Sequence, residues 1–89
     1  MSLNKKKMVR EIGRRTRMSN RDVQRVIETL VEVWTEELVS GGRIELEHFV
    51  VLEMQVVERY RNNPFLRRTF RQVKLRASKA LREKLNEQA

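Results

Sequence analysis

Seven apolar residues, Val23, Val26, Ile27, Leu30, Val31, Trp34 and Leu38, step along the chain by three, one, three, one, three and four. That spacing is the wide apolar stripe of an amphipathic helix. Ser19, with Asp22 three residues on, supplies a start signal. Ser40-Gly41-Gly42 supplies the stop, because glycine takes the left-handed conformation that ends helices. A helix of about 20 residues is predicted, with Trp34 as core rather than ligand. A stripe this long needs cover, and the chain has 89 residues in which to find it. A single domain of that size buries only about two-thirds of its unfolded surface. With no cysteine, neither a disulfide nor a thiolate metal site can compensate. Oligomerisation is the remaining way to enlarge the core.

The other elements follow from local pattern. Asn4 is a candidate N-cap for a first helix from Lys5 to Thr16, with Met8, Val9 and Ile12 as its apolar stripe. Gly13 lies inside that helix at a cost in stability and leaves room for a close neighbour. Arg43 to Glu47 alternates polar and apolar with period two, and Glu47-His48 is the expected turn. Phe49 to Glu58 is β-branched and aromatic, with Val50, Leu52, Met54 and Val56 on one face and Val51, Glu53, Gln55 and Val57 on the other. Phe49 would need a bulge to join either set. Arg59 to Arg68 breaks the pattern with Asn-Asn-Pro turn chemistry. A third strand is predicted from Arg67 to Leu75. A final helix is predicted over residues 77–87, with Ser78 as the cap candidate and Leu81 and Leu85 as its apolar contacts. The fold class is α+β: two helices, a three-stranded antiparallel sheet with a protruding ribbon, and a short closing helix. The chain divides into a helical part at 1–40, a sheet and arm at 43–75, and the last helix.

Charge is distributed unevenly. Arg61 to Arg82 holds eight basic residues (Arg61, Arg67, Arg68, Arg71, Lys74, Arg76, Lys79 and Arg82) and no Asp or Glu, so it carries the whole net charge of +8. A field concentrated in this way attracts a polyanion, and its length and sign fit nucleic acid. Arginine suits phosphate and narrow grooves, being always charged, forked and weakly hydrated. The most basic segment is a predicted ribbon rather than a recognition helix, so contacts to backbone and shape are expected in place of base-specific readout.

Other functions find little purchase. His48 is the single histidine, with no partner spaced for nucleophile–base chemistry or for a metal site. Neither an enzyme, a cofactor, a metal nor a small-molecule substrate is expected. No apolar run approaches a membrane span, and the first eight residues are too short and too quickly charged for a signal peptide. The expected setting is therefore soluble and intracellular.

The order of elements and six local motifs resemble the bacterial histone-like HU and integration host factor family over essentially the whole chain. The motifs are Asn4-Lys5-Lys6-Lys7-Met8-Val9, Met18-Ser19, Gly41-Gly42-Arg43-Ile44-Glu45-Leu46, Phe49 with Leu52, Asn63-Pro64, and Lys79-Ala80-Leu81-Arg82. The resemblance implies an intertwined homodimer, or a heterodimer with a paralogue, whose β-ribbon arms reach around double-stranded DNA in the minor groove. It makes Pro64 the candidate wedge between base pairs. Arg59, Arg61 and Asn63 become arm candidates on one side, and Arg67, Arg68 and Arg71 on the returning strand. Lys74, Arg76, Lys79 and Arg82 become phosphate contacts of the body. It also implies a cytoplasmic protein of the nucleoid. The departures concern the arm. His48-Phe49-Val50 stands where the family has Gly-Phe-Gly, Gln55 and Val57 replace basic positions, and the segment after Pro64 is shorter than usual. Two other readings remain open: a dimeric interaction module on the same fold with weakened bending, and an RNA-associated basic protein.

Overall fold

The computed structural model describes residues 2–60 and 67–87, with side chains for 2–58 and 69–87. The elements run α1 (Lys5–Thr16), α2 (Asn20–Val39), β1 (Arg43–Leu46), β2 (Val50–Tyr60), β3 (Arg67–Ala77) and α3 (Lys79–Asn86). They group into two compact units, Met1–Thr35 and Glu36–Ala89, with α2 running through the boundary.

In the first unit the helix ends are set by the expected caps. Asn4 Oδ1 accepts from the Lys7 amide at 2.9 Å, and Ser19 Oγ accepts from the Asp22 amide at 3.2 Å. Both satisfy amides that a helix start leaves unpaired. Arg17 closes α1 in the left-handed region at φ 60. The turn between the helices passes close to Gly13, where a Cβ would stand 2.7 Å from Asn20 Oδ1 and 3.2 Å from the Met18 carbonyl. Lys5 and Glu28 join α1 to α2 across an exposed 2.6 Å ion pair. Val9 and Val23 are the buried apolar residues here.

The α2 stripe is not the core that its pattern suggests. Val23 is 1% exposed, but Val26 is 59%, Leu30 44% and Val31 58% exposed. Ile27, Trp34 and Leu38 are half-buried. The periodicity is helical as expected; among the described residues the cover over Val26, Leu30 and Val31 is missing.

In the second unit α2 ends in a Schellman motif. The Gly41 amide donates to the Leu38 carbonyl and the Gly42 amide to the Glu37 carbonyl, at 3.1 and 2.8 Å, with Gly41 at φ 86. The sheet order is β1-β2-β3, antiparallel throughout. Its β2–β3 register runs unbroken from Val50↔Ala77 to Tyr60↔Arg67.

Several expected boundaries move. Residues 47–49 form the turn, so β1 stops at Leu46 and Phe49 lies outside the strand without a bulge. His48 sits in that turn at φ 64, a conformation that favours glycine. Strand β2 continues through Arg59 and Tyr60, which were expected to break it, because both still have partners on β3. Strand β3 extends to Ala77, and α3 starts at Lys79 rather than at Ala77. The reason is the cap: Ser78 Oγ accepts from the Leu81 amide at 3.0 Å, while the Ser78 amide donates to the Phe49 carbonyl at 2.8 Å. Leu81 is half-buried as expected, but Leu85 is exposed.

Candidate nucleic-acid interface

Strand alternation and register sort the sheet into two faces, since directly opposed residues of an antiparallel pair share a side. Ile44, Leu46, Val50, Leu52 and Met54 fall on one face with Val73, Leu75 and Ala77 opposite them on β3. Ile44 and Val50 are buried there, whereas Val73 and Leu75 on β3 are 56% and 60% exposed. The other face carries Arg43 and Glu45 on β1, Val51, Glu53, Gln55 and Val57 on β2, and Phe70, Gln72, Lys74 and Arg76 on β3.

The predicted basic residues divide between these faces. Lys74 and Arg76 lie on the polar face. Toward the arm the register pairs Arg59 with Arg68 and Tyr60 with Arg67. The side chains of Arg59, Arg67 and Arg68, and the whole of Arg61, Asn63 and Pro64, lie outside the described residues. Lys79 and Arg82 are exposed on α3. An open depression of ≈ 530 Å3 brings Arg76 and Arg82 together with Val51, Ala77 and Ser78 where β3 passes into α3.

Arg71 was grouped with Arg67 and Arg68 as an arm residue, and it has another attachment. It lies across from Val56 on the apolar face. Its Nη2 donates to the Leu38 carbonyl at 3.0 Å and the Val39 carbonyl at 2.7 Å. A helix leaves its last carbonyls unpaired, with partial negative charge. Gly42 satisfies Glu37 and Gly41 satisfies Leu38; Arg71 shares Leu38 and adds Val39, with a cation suited to that end. The contact spans 33 residues of sequence and joins the strand to the end of α2.

The remaining cations are only lightly held. Arg76 Nε lies 3.8 Å from Glu53 Oε1, and Lys79 Nζ lies 4.0 Å from Glu83 Oε1. Exposed pairs at such distances are worth a few tenths of a kcal/mol, so an anion can displace them. Among the described residues no carboxylate pairs with Lys74 or Arg82. Arg43 was missed as a site residue. The register sets it opposite Glu53, which in turn opposes Lys74, giving one row across three strands. Its guanidinium also bonds Glu45. The alternation of Arg43 and Glu45 hinted at its face, but the row needs the pairing of strands.

Further along the polar face, Gln72 Nε2 donates to Gln55 Oε1 at 3.4 Å, and Val57 opposes Phe70. The face is therefore basic toward α3 and uncharged in its middle. Among the described residues no group of three or more His, Cys, Asp or Glu could hold a metal ion. Nor is any described helix long and apolar enough to cross a membrane.

The family model described as bacterial DNA-binding protein matches residues 3–86. The chain belongs to the bacterial DNA-binding protein family. This HU-type chain shares its fold with solved HU structures. Anabaena HU, from a cocrystal with DNA, superposes with TM-score 0.82 at 22% identity, covering 94% of this chain and 98% of that one. A point mutant of HU from Thermotoga maritima gives TM-score 0.73 at 26% identity, covering 94% and 100%. A search of curated protein sequences finds no significant match. The HU-type architecture expected from the motifs is thus the observed one: two helices, a three-stranded antiparallel sheet and a closing helix.

Proposed function

We propose that this chain is a histone-like architectural protein that binds double-stranded DNA with little sequence preference, as a homodimer. The observation that carries the reading is the polar sheet face, where Arg43, Lys74 and Arg76 lead onto Lys79 and Arg82 of α3. Exposed cations with weak partners are what phosphate contacts require, and release of counterions then drives binding. Membership of the family, and a relative solved with DNA, support the same assignment.

In this reading Arg59, Arg61, Asn63, Arg67 and Arg68 extend the contact along the arm, and Pro64, midway between the strand ends, is the candidate wedge. Bending therefore depends on the arm, while affinity depends on the cation row as well. Arg71 supports the arm's root from the helix end. The uncovered stripe of α2 and the bare apolar side of β3 are the surfaces that a second copy covers, with residues 1–40 the main dimerisation region. A protein bound in this way resides on the nucleoid, in the cytoplasm, and needs no cofactor.

Two measurements test this. If a dimer engages about 6–10 phosphates, log K falls against log salt with a slope of roughly −5 to −9. A flat dependence would sink the proposal. Sedimentation at micromolar concentration should give a dimer, and a monomer would contradict the assignment of the α2 stripe. Comparing linear, nicked and bent duplexes separates bending from simple coating, and competition with duplex RNA tests whether DNA is preferred.

A further inference from the structure

Glu53 stands among the cations of the polar face. Register places Arg43 on one side of it and Lys74 on the other, and Arg76 Nε lies 3.8 Å from its Oε1. Arg43 already has Glu45 as a partner. The next residue outward on the same strand face, Gln55, is neutral. With Glu45 engaged by Arg43, Glu53 is the polar-face carboxylate that the structure places against both Lys74, by register, and Arg76. Its side chain is 31% exposed and that of Arg76 is 55% exposed, so both remain open to a ligand.

Resting on the reading of this face as a DNA interface, we propose that Glu53 sets its affinity. The carboxylate competes with phosphate for Arg76, repels it beside Lys74, and holds binding below the level that the cations alone would reach. An ion pair this exposed is weak. A phosphate offers arginine the same forked acceptor geometry with more charge, and so takes its place. Glu53 then remains close to the bound backbone as a like charge, and its repulsion persists in the complex. Opposite charges across strands also stabilise a sheet. A purely structural role predicts that neutralising Glu53 loosens the sheet and leaves binding unchanged or weaker. Competition predicts the opposite sign for binding.

The test compares the full-length wild type with Glu53→Gln and Glu53→Thr on one linear duplex at fixed salt, and follows each melt by circular dichroism. Threonine suits a strand and guards against loss of fold in the glutamine variant. Binding should tighten roughly threefold to tenfold in both, with a salt slope steeper by up to about one per protomer. Glu32→Gln removes the same charge from α2 rather than from a strand of the sheet, and should change binding by less than about twofold. Equal or weaker binding by folded Glu53 variants, beside a wild type that binds with a steep salt slope, overturns this inference alone. A wild type that fails to bind duplex overturns the DNA reading and this inference with it. An equal gain in Glu32→Gln assigns the effect to net charge and also overturns it.

Discussion

Replacing Arg71 by Ala tests whether this residue holds the fold, as its bonds to the end of α2 suggest, or serves as one of the proposed DNA contacts. In the wild type Arg71 Nη2 donates to the Leu38 and Val39 carbonyls at 3.0 and 2.7 Å. Leu38 keeps the Gly41 amide when the guanidinium is removed, so the loss falls chiefly on Val39. A hydrogen bond from a charged donor contributes about 1.5–3 kcal/mol when well shielded, and a cation at a helix C-terminus about 0.3–1 kcal/mol. Arg71 is exposed, so water can replace much of both. A net loss of about 1 kcal/mol is expected, which lowers Tm by roughly 4–8 °C in a domain of this size. Melts must be compared at one protomer concentration, since the Tm of a dimer depends on it. Arg71→Lys can satisfy one carbonyl and should recover part of the loss. In the same preparations the salt slope of DNA binding should stay near wild type for Arg71→Ala. It should fall by roughly two per dimer for Lys74→Ala, one phosphate from each copy. If Arg71→Ala melts with the wild type while the salt slope drops, Arg71 is a phosphate contact and the capping argument is refuted.

Three other substitutions test local physics. His48→Gly should raise stability by about 0.5–1 kcal/mol, because position 48 sits at φ 64, where a side chain is strained; a lower Tm would contradict this. Gly13→Ala gains about 1 kcal/mol of helix propensity but forces a Cβ to 3.2 Å from the Met18 carbonyl. Overpacking of that kind costs more than the gain, so the variant should melt lower, and a higher melting point would show that the turn yields freely. Hydrogen bonds from Arg14, then Arg15, lower the Glu11 carboxyl from the ordinary 4.5 to about 2. The folded value is the lower one, so its small contribution is complete above pH 4.5 and disappears as pH falls through about 2. An NMR titration of Glu11 should place its midpoint well below the ordinary range. A midpoint near 4.5 would mean that the exposed pairs with Arg14 and Arg15 do not persist in solution.

Much of this architecture is legible in the residues because its determinants are local. Asn4 and Ser19 announce their helices, since a cap needs only the three residues that follow it. Gly41-Gly42 announces the end of α2 for the same reason. The period-two pattern of β2 foretells two unlike faces, and the run from Arg61 to Arg82 marks by its charge alone a segment suited to a polyanion. Local pattern failed where neighbours decide. Arg59 and Tyr60 look like turn residues, yet pairing with Arg68 and Arg67 keeps them in the strand. Ala77 looks helical, yet Val50 holds it in the sheet and Ser78 starts the helix after it.

The tertiary structure alone decided which charges work together. Alternation says that neighbouring residues point to opposite sides, but it does not say which rung of one strand meets which rung of the next. Only the register makes Arg43, Glu53 and Lys74 a row, and so exposes Glu53 as a competitor on the proposed DNA face. Only the fold brings Arg71 back to the end of α2, across 33 residues of chain. The long stripe of α2 shows both limits together. Its spacing determined a helix with an apolar side, because 3.6-residue periodicity is a property of one segment. Whether that side is covered is a property of everything around it, and among the described residues Val26, Leu30 and Val31 stay open.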